Sequence, residues 1–189
     1  MSLPGRRYVD AMATVERYGA GDEAGQYSPG DFILTHRRRP FAALISRAQK
    51  RRFRGPDAVF AHWTHSAFVV AEDGTIVEAE AMGVKLSPIA KYRDFEYHLV
   101  RLGDEFARPD RDRAVAYAKT QVGQAFGFLN MFGAALFLLF GLPLRLMRGN
   151  HQICSALVVR ALQTGAQLLD MDPDLTLPAD LAKRFDVRP

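Results

Sequence analysis

The sequence predicts an α+β domain in which helices pack against a small antiparallel β-sheet. Its 189 residues are 48% apolar, which is enough for one domain with a real core. Strand-like and helix-like patterns do not alternate strictly, and a tight turn joins two strand-like runs in the first half of the chain. This order is typical of antiparallel strands with helices packed against them.

Residues 1–27 predict a helical extension that precedes the main domain. Apolar residues recur at helix-like spacing over 7–18, and a glycine-containing connector follows over 19–25. The main domain is predicted to span 28–189. It opens with a Ser-Pro-Gly-Asp turn signal and a short strand over 32–35.

A helix is predicted to begin at Pro40 and to end before Gly55, with one apolar stripe and a basic opposite face. The net charge of +4 comes from this region, because the rest of the chain has 17 bases against 21 acids. Such a local patch indicates either a partner site or a solvated face. Between Asp31 and Asp57 there is no acid and there are eight bases: Arg37, Arg38, Arg39, Arg47, Lys50, Arg51, Arg52 and Arg54.

A β-hairpin, a third strand and two helices are predicted next. The hairpin has strand-like runs on both sides of the sequence Glu-Asp-Gly-Thr at 72–75, which is typical of a tight turn. The last helix is apolar on nearly all sides, which indicates burial. The predicted elements are strands over 65–71, 75–86 and 97–102, a connection over 88–93, and helices over 111–122 and 154–165.

An apolar segment over 125–144 has twenty consecutive residues without a charge. By length it could cross the hydrocarbon core of a bilayer, which is about 30 Å thick. Asn130, three glycines and Pro143 weaken that interpretation. A spanning helix, a buried core helix and an interfacial helix all remain open.

The cellular location is predicted from the N-terminus and the cysteine count. Residues 1–26 carry charges throughout and contain no apolar stretch of signal-peptide length. A single cysteine cannot form an internal disulfide, so no oxidising compartment is needed. We therefore expect a cytoplasmic protein without a signal peptide, associated with a membrane if the apolar segment contacts lipid.

Cys154 and His65 are the candidate nucleophile and base. Cys154 opens a predicted helix, where the helix macrodipole and unpaired backbone N–H groups favour a thiolate. Of the five histidines, His65 stands at the start of the hairpin strand, so the sheet would hold its backbone in place. The plainer interpretation is that Cys154 is a small buried apolar residue and that His65 is a surface or capping residue.

Glu78 and Glu80 are the candidates for a carboxylate that orients His65. If Asp73 and Gly74 are the centre of a two-residue turn, Glu78 lies opposite Val69 and Glu80 opposite Ala67. Both carboxylates then share a sheet face with His65, although a slip of one residue would put both on the other face. Idealised pairing places Glu80 nearer to His65, whereas twist or a bulge could favour Glu78. The alternative is that the two glutamates form the solvent face of the strand.

Several short motifs occur in a particular order along the chain. They are Gly30-Asp31-Phe32-Ile33-Leu34, the basic helix, Trp63-Thr64-His65-Ser66-Ala67-Phe68-Val69-Val70, Ile76-Val77-Glu78-Ala79, Gly83-Val84, Ile153-Cys154-Ser155-Ala156-Leu157-Val158 and Leu177-Pro178-Ala179-Asp180-Leu181. In this order they resemble the permuted papain-like amidases of the YiiX and YaeF type, relatives of NlpC-type cell-wall peptidases and of lecithin retinol acyltransferase. The resemblance covers roughly 28–185. It implies a circularly permuted papain-like fold, because the His strand precedes the Cys helix.

The resemblance also implies a role for each candidate residue. Cys154 matches the family's nucleophile, His65 its general base, and Glu78 the residue that orients the base, in preference to Glu80. The implied function is that of a thiol hydrolase or acyltransferase that forms a thioester. We expect no cofactor and no metal, since the histidine spacing matches no metal-ligand motif.

The expected substrate is an amphiphilic lipid or a cell-wall-type acyl or amide compound. The basic helix is expected to border the cleft, so Arg47, Arg51 and also Glu80 are candidate substrate-binding residues. Peripheral membrane contact is expected through 40–54 and 125–148. Nucleic acid is not expected as a partner, because no nucleic-acid motif accompanies the basic patch.

The alternative function is that of a membrane-associated binding or assembly module with the same fold and no turnover. Relatives in the resembled family often have an acidic residue two positions after the cysteine, where this chain has Ala156. The long apolar segment also favours this alternative.

Overall fold

The computed structural model of the chain describes residues 13–36, 40–124, 153–166 and 169–189. They form an α+β structure with one open, six-stranded antiparallel sheet and helices, as the sequence predicted. Two short 3₁₀ helices, Gly55–His62 and Ile89–Tyr92, connect regular elements. The strands are β1 Ala13–Tyr18, β2 Phe32–Thr35, β3 His65–Val69, β4 Thr75–Glu80, β5 Gly83–Pro88 and β6 Tyr97–Leu102. The helices are α1 Pro40–Arg52, α2 Arg108–Thr120, α3 Cys154–Ala166 and α4 Pro178–Arg184.

The strand order in the sheet is β1-β6-β2-β3-β4-β5, and every neighbouring pair is antiparallel. All residues of β2 and β3 are buried. β3 pairs with β2 on one side and with β4 on the other, so backbone hydrogen bonds fix it from both sides. The first residue of this central strand, His65, therefore has a well-defined position.

Both faces of the sheet are covered, and side-chain alternation divides the core into two clusters. On one face, Phe68 of β3 belongs to the same cluster as Cys154 and Leu157 of α3. On the other face, Ala67 of β3 belongs to a cluster that contains Tyr92. The central strands lie between two apolar layers, in keeping with the apolar runs Phe32–Leu34 in β2 and Ala67–Val69 in β3.

Helices α1 and α4 are tied to the segment that precedes β3. Gln49 of α1 donates through Nε2 to Trp63 O at 2.8 Å, and its Oε1 accepts from Ala179 N at 3.0 Å. Trp63 is fully buried and donates through Nε1 to Val187 O at 2.8 Å. These buried hydrogen bonds hold the start of β3 against the C-terminal helix.

Several predicted elements are confirmed with small changes in their bounds. The strands over 32–35 and 97–102 and the helix that begins at Pro40 are present. The helix predicted over 111–122 is Arg108–Thr120, and the one predicted over 154–165 is Cys154–Ala166. The motif that begins at Leu177 leads into α4.

The helix predicted over 7–18 is wrong for the residues that the structure describes, because 13–18 form the edge strand β1. β1 pairs with β6 along its whole length. The Tyr18 ring stacks on Tyr97 at 5.0 Å, and Glu16 forms an ion pair with Arg101. These contacts join residues far apart in the sequence, and their stabilisation exceeds the weak local preference for helix. The part of the predicted helical extension before residue 13 lies outside the described residues.

The strand predicted over 75–86 is wrong in extent, because it consists of two strands, β4 and β5, joined by a turn at Ala81 and Met82. Gly83 has φ +121°, a conformation that glycine adopts without strain. A Cβ there would also lie 2.9 Å from Gln124 O. The chain therefore reverses at this point although the apolar pattern continues through it.

The predicted hairpin register is wrong by two residues. Phe68 pairs with Val77, and Val69 pairs with Ile76. Gly74 N donates to Ala71 O at 3.2 Å, so the turn is centred one residue earlier than predicted, and Gly74 has φ +79°. A shift of two residues leaves every side chain on its predicted face. It brings Glu78 and Glu80 equally, by two positions, nearer to the level of His65.

The apolar segment over 125–144, and with it the predicted membrane contact through 125–148, lies outside the described residues. Within the ranges that the structure describes, no helix is long and apolar enough to cross a membrane. The three interpretations of this segment therefore stay predictions.

Candidate active site

The N-terminus of α3 meets the first residue of β3 inside the protein. Cys154 is 3% exposed and His65 is 9% exposed. Leu157 N donates to Ile153 O at 3.0 Å, which starts the hydrogen bonding of α3 and leaves Cys154 in its first turn. Backbone N–H groups in a first helical turn have no partner within the helix. The thiol therefore lies at the positive end of the helix macrodipole.

The imidazole of His65 connects Cys154 to Glu78. His65 Nε2 lies 3.0 Å from Glu78 Oε2. The imidazole also interacts with the side chain of Cys154, which contributes to raising the pKa of His65. The ring of His65 thus interacts with a thiol as well as with a carboxylate.

The electrostatics of this group favour an ion pair. Burial lowers the pKa of His65, but the hydrogen bonds and charges of Cys154 and Glu78 outweigh burial and raise that pKa to about 9. Burial raises the pKa of the Cys154 thiol, but the imidazole of His65 and the nearby backbone N–H and hydroxyl of Ser66 bring it below its usual value. Both directions favour a thiolate beside an imidazolium.

Glu78 is fully buried and is surrounded by donors. Its Oε1 accepts from Lys91 Nζ, and its Oε2 accepts from Tyr92 OH as well as from His65. Burial raises the pKa of Glu78, but hydrogen bonds from His65, Lys91 and Ser87 hold it well below the usual range. The carboxylate therefore stays ionised and keeps the imidazole in one orientation.

Glu80, two residues further along β4, lies outside this pair. It forms ion pairs with Lys85 at 2.7 Å and with Lys91 at 3.1 Å. Burial raises the pKa of Glu80, but the hydrogen bonds of the two lysines lower it to about 2. The structure thus brings Glu78 to His65, and Glu80 shares Lys91 with Glu78. Idealised pairing, which placed Glu80 nearer to His65, is therefore wrong on this point: the β3–β4 pairing ends at Phe68 and Val77, and Glu78 makes the contact.

Arg47 and Arg51 are not brought to the thiol. They are exposed, and they lie two and six positions after Ile45, on the opposite side of α1. Ile45 packs against Ile153 and Ala156 at the start of α3. Helix α1 therefore borders the site with its apolar face and presents its basic face to solvent. Three further bases of the patch, 37–39, are outside the described residues.

Lys91 and Tyr92 are site residues that the sequence analysis missed. They belong to the 3₁₀ helix Ile89–Tyr92, within a segment that was predicted only as a connection. Ser66 belongs to the sequence motif around His65, and the motif predicts no separate role for it. Neither Lys91 nor Tyr92 has a sequence signal that identifies it, because their proximity to Glu78 depends on how the chain returns across the sheet after β5.

A second polar cluster surrounds Glu96 at the ends of β2 and β6. His62 Nε2 lies 2.8 Å from Glu96 Oε2, and His98 Nε2 lies 3.6 Å from Glu96 Oε1. The ring of His36 stacks on that of His62 at 4.4 Å. Burial lowers the pKa of His98 to about 4, so this ring is neutral at neutral pH. Among the described residues, neither these side chains nor others form a group that could hold a metal ion.

Comparison with known proteins adds no relative to these observations. The sequence matches no protein-family model and no curated protein. What the site can do is therefore argued from its own chemistry. A buried thiol, an imidazole and an ionised carboxylate in proximity are groups that can carry out nucleophilic attack on a carbonyl carbon.

Proposed function

We propose that the protein is a cysteine-dependent acyl hydrolase or acyltransferase. Cys154 is the nucleophile, His65 the general acid and base, and Glu78 the carboxylate that orients the imidazole. The observation that supports this most is the buried His65 ring, which interacts with Cys154 and whose Nε2 lies 3.0 Å from Glu78 Oε2. The order of the elements, with the His strand before the Cys helix, supports a circularly permuted papain-like fold.

The first half of the reaction acylates the enzyme. The sulfur of Cys154 attacks the carbonyl carbon of an ester or amide, a C–S bond forms, and the carbonyl oxygen becomes an oxyanion. The bond between carbon and the leaving oxygen or nitrogen then breaks, and His65 gives its proton to that atom. An alcohol or an amine leaves, and the acyl group stays on Cys154 as a thioester.

The second half releases the acyl group. The neutral His65 takes a proton from water, or from an acceptor alcohol or amine, as that molecule attacks the thioester carbon. The C–S bond breaks, the thiolate is restored, and the imidazolium is restored beside it. Water yields a carboxylic acid and the other acceptors yield a transferred acyl group.

The backbone N–H of Cys154 is the natural donor to the oxyanion. It lies in the first turn of α3, where backbone N–H groups have no helical partner. Such preorganised donors are aimed at charge that develops only during the reaction, and removal of one such donor typically slows an enzyme about 100- to 1000-fold. The same helix end therefore favours both the thiolate and the oxyanion.

The proposed substrate class is an amphiphilic lipid or a cell-wall-type acyl or amide compound, met in the cytoplasm at a membrane surface. Arg47 and Arg51, on the exposed face of α1, suit contact with anionic headgroups better than contact with the reacting carbonyl.

Flotation with anionic liposomes tests this contact between α1 and anionic lipid. We expect flotation that high salt abolishes and that Arg47→Gln with Arg51→Gln weakens. The matched variant Arg108→Gln with Lys119→Gln, on the exposed face of α2, should float like the wild type. Failure of the wild type to float under any condition would exclude a lipid-surface role.

The second candidate is a binding or assembly module without turnover, and the packing of Ala156 favours it. Ala156 is 1% exposed and contacts Ile45 and Ile153, so the position at which the resembled family often has an acidic residue is apolar here. In such a module Cys154 would be a structural thiol. The two candidates differ in whether Cys154 ever carries an acyl group.

Intact-mass measurement tests the proposed function directly. The wild type, His65→Ala and Cys154→Ala are incubated separately with a lipid extract and with cell-wall fragments. We expect an acyl adduct on the wild type with one of the two sources, a much slower adduct on His65→Ala, and none on Cys154→Ala. An adduct that persists in Cys154→Ala, or that forms equally fast in His65→Ala, would contradict the proposed roles.

A further inference from the structure

Ser66 lies beside the candidate nucleophile, on the strand that carries the candidate base. It follows His65 in β3, is fully buried, and pairs with Leu34 of β2. Side chains alternate along a strand, so Ser66 projects to the same sheet face as Phe68. Phe68 belongs to the cluster that contains Cys154 at the start of α3. Ser66 is therefore the polar residue of β3 on the face where the thiol lies.

The Ser66 hydroxyl is an unpaired polar group in the resting protein. Its Oγ is buried and has no hydrogen-bond partner among the residues that the structure describes. Nearby buried hydroxyls are paired: Thr35 Oγ1 donates to Glu96 O at 2.7 Å, and Ser155 Oγ donates to Thr176 O at 2.5 Å. A buried hydroxyl without a partner destabilises a fold and calls for an explanation.

Ionisation of Cys154 provides that partner. Burial, the largest influence, raises the pKa of the Cys154 thiol, and His65 lowers it. The backbone N–H and the hydroxyl of Ser66 are also near enough to Cys154 to lower this pKa, by a smaller amount. A neutral thiol is a weak acceptor, whereas a thiolate accepts strong, charge-assisted hydrogen bonds. The hydroxyl is therefore poorly satisfied beside the thiol and well satisfied beside the thiolate.

We propose that Ser66 is the residue that, together with His65, holds Cys154 as a thiolate, through a hydrogen bond from its hydroxyl that forms when the thiol ionises. This inference rests on the proposed function, since a stabilised thiolate has a use only if Cys154 is a nucleophile. The role belongs to the resting enzyme, because the sulfur loses its negative charge when the C–S bond forms. Ser66 thus raises the fraction of reactive enzyme at neutral pH.

The test compares how alkylation of Cys154 by iodoacetamide depends on pH in three proteins: the wild type, Ser66→Ala and Ser155→Ala. Ultraviolet absorbance of the thiolate gives an independent titration. We expect Ser66→Ala to raise the midpoint of both profiles by about one pKa unit, which slows alkylation about tenfold below the wild-type midpoint. Ser155→Ala removes a buried hydroxyl next to Cys154 in sequence that is already paired, so its midpoint should equal that of the wild type. Ser66→Thr keeps the hydroxyl and should restore the wild-type midpoint.

The outcomes separate this inference from the function on which it rests. If wild-type Cys154 is alkylated only on unfolding, the proposed function fails and the inference fails with it. If the wild type has a low midpoint and Ser66→Ala leaves it unchanged, the proposed function stands and the inference is overturned. Should Ser66→Ala not fold, Ser66→Thr and Ser66→Val carry the comparison, since they have the same shape and only one has a hydroxyl. Equal midpoints in that pair would also overturn the inference.

Discussion

Replacement of Glu78 by Gln tests the electrostatics of the site most sharply. The substitution keeps the size of the side chain and removes its charge from a position that is fully buried. A carboxylate has two acceptor oxygens and an amide has one. In the wild type one carboxylate oxygen of Glu78 accepts from Lys91 and the other accepts from Tyr92 and His65. In Glu78→Gln an NH₂ group replaces one of these oxygens, so at least one buried donor loses its acceptor.

The expected magnitude follows from the hydrogen bond between His65 Nε2 and Glu78 Oε2, which is 3.0 Å long. Hydrogen bonds to charged groups contribute about 1.5–3 kcal/mol of stabilisation and hydrogen bonds between neutral groups about 0.5–1.5 kcal/mol. Loss of the charge on residue 78 should therefore weaken its hydrogen bond with His65 by about 1–1.5 kcal/mol. One pKa unit corresponds to about 1.4 kcal/mol. The pKa of His65, about 9 in the wild type, should therefore fall by about one unit in Glu78→Gln. Stability should also fall by about 1–3 kcal/mol, because a buried donor loses its acceptor.

Titration of the histidine ring signals by NMR measures this pKa, with His65→Ala to assign the signal. Glu80→Gln is the matched control: it removes a carboxylate two residues away that is paired with Lys85 and Lys91. We expect it to shift the pKa of His65 much less than Glu78→Gln does. The reasoning would be refuted by an unchanged pKa of His65 in Glu78→Gln, or by an equal shift in the two variants.

The remaining predictions concern stability. The raised pKa of His65, about 9 against 6.5 for a free histidine, means that its protonation stabilises the fold fully below pH 6.5 and that this stabilisation is lost as pH rises through about 9. Thermal melting should therefore show that the wild type is up to roughly 3 kcal/mol less stable above about pH 9 than below pH 6.5, and His65→Ala should lack this difference. Gly83→Ala should lower stability by about 1–3 kcal/mol in denaturant unfolding, because φ is +121° and a Cβ would lie 2.9 Å from Gln124 O; no loss would contradict the described turn. Trp63→Phe removes the hydrogen bond from Nε1 to Val187 O and should cost about 1–3 kcal/mol, whereas an unchanged melting temperature would mean that this bond does not hold the C-terminus.

Local signals in the sequence were sufficient to predict the positions of His65 and Cys154. Pro40, the hairpin turn and the apolar pattern of α3 each fix an element within a few residues, and these signals act over short distances. The six strands and their order depend on pairings between distant residues, so β1 could not be distinguished from a helix by its apolar spacing.

The third residue of the site shows where sequence reasoning fails. The register of a hairpin depends on which turn residue takes the left-handed conformation, and here it is Gly74. The turn lies one position earlier than predicted, yet the observed register, continued to His65, would still set Glu80 opposite it. The β3–β4 pairing stops at Phe68 and Val77, and beyond it Glu78 contacts His65. The family resemblance indicated Glu78, and the structure places Glu78 against His65. Lys91 and Tyr92 could not be predicted, because only the folded chain brings them to the carboxylate.

The reactivity of Cys154 in the native protein tests the central claim most directly. The rate of alkylation by iodoacetamide is measured across pH in the wild type and in His65→Ala, each with an unfolded sample as reference. A nucleophile paired with His65 predicts rapid labelling of native wild-type protein at neutral pH and slower labelling, with a higher midpoint, in His65→Ala. Labelling that occurs only on unfolding, or at the same rate in both proteins, would show that Cys154 is a structural thiol.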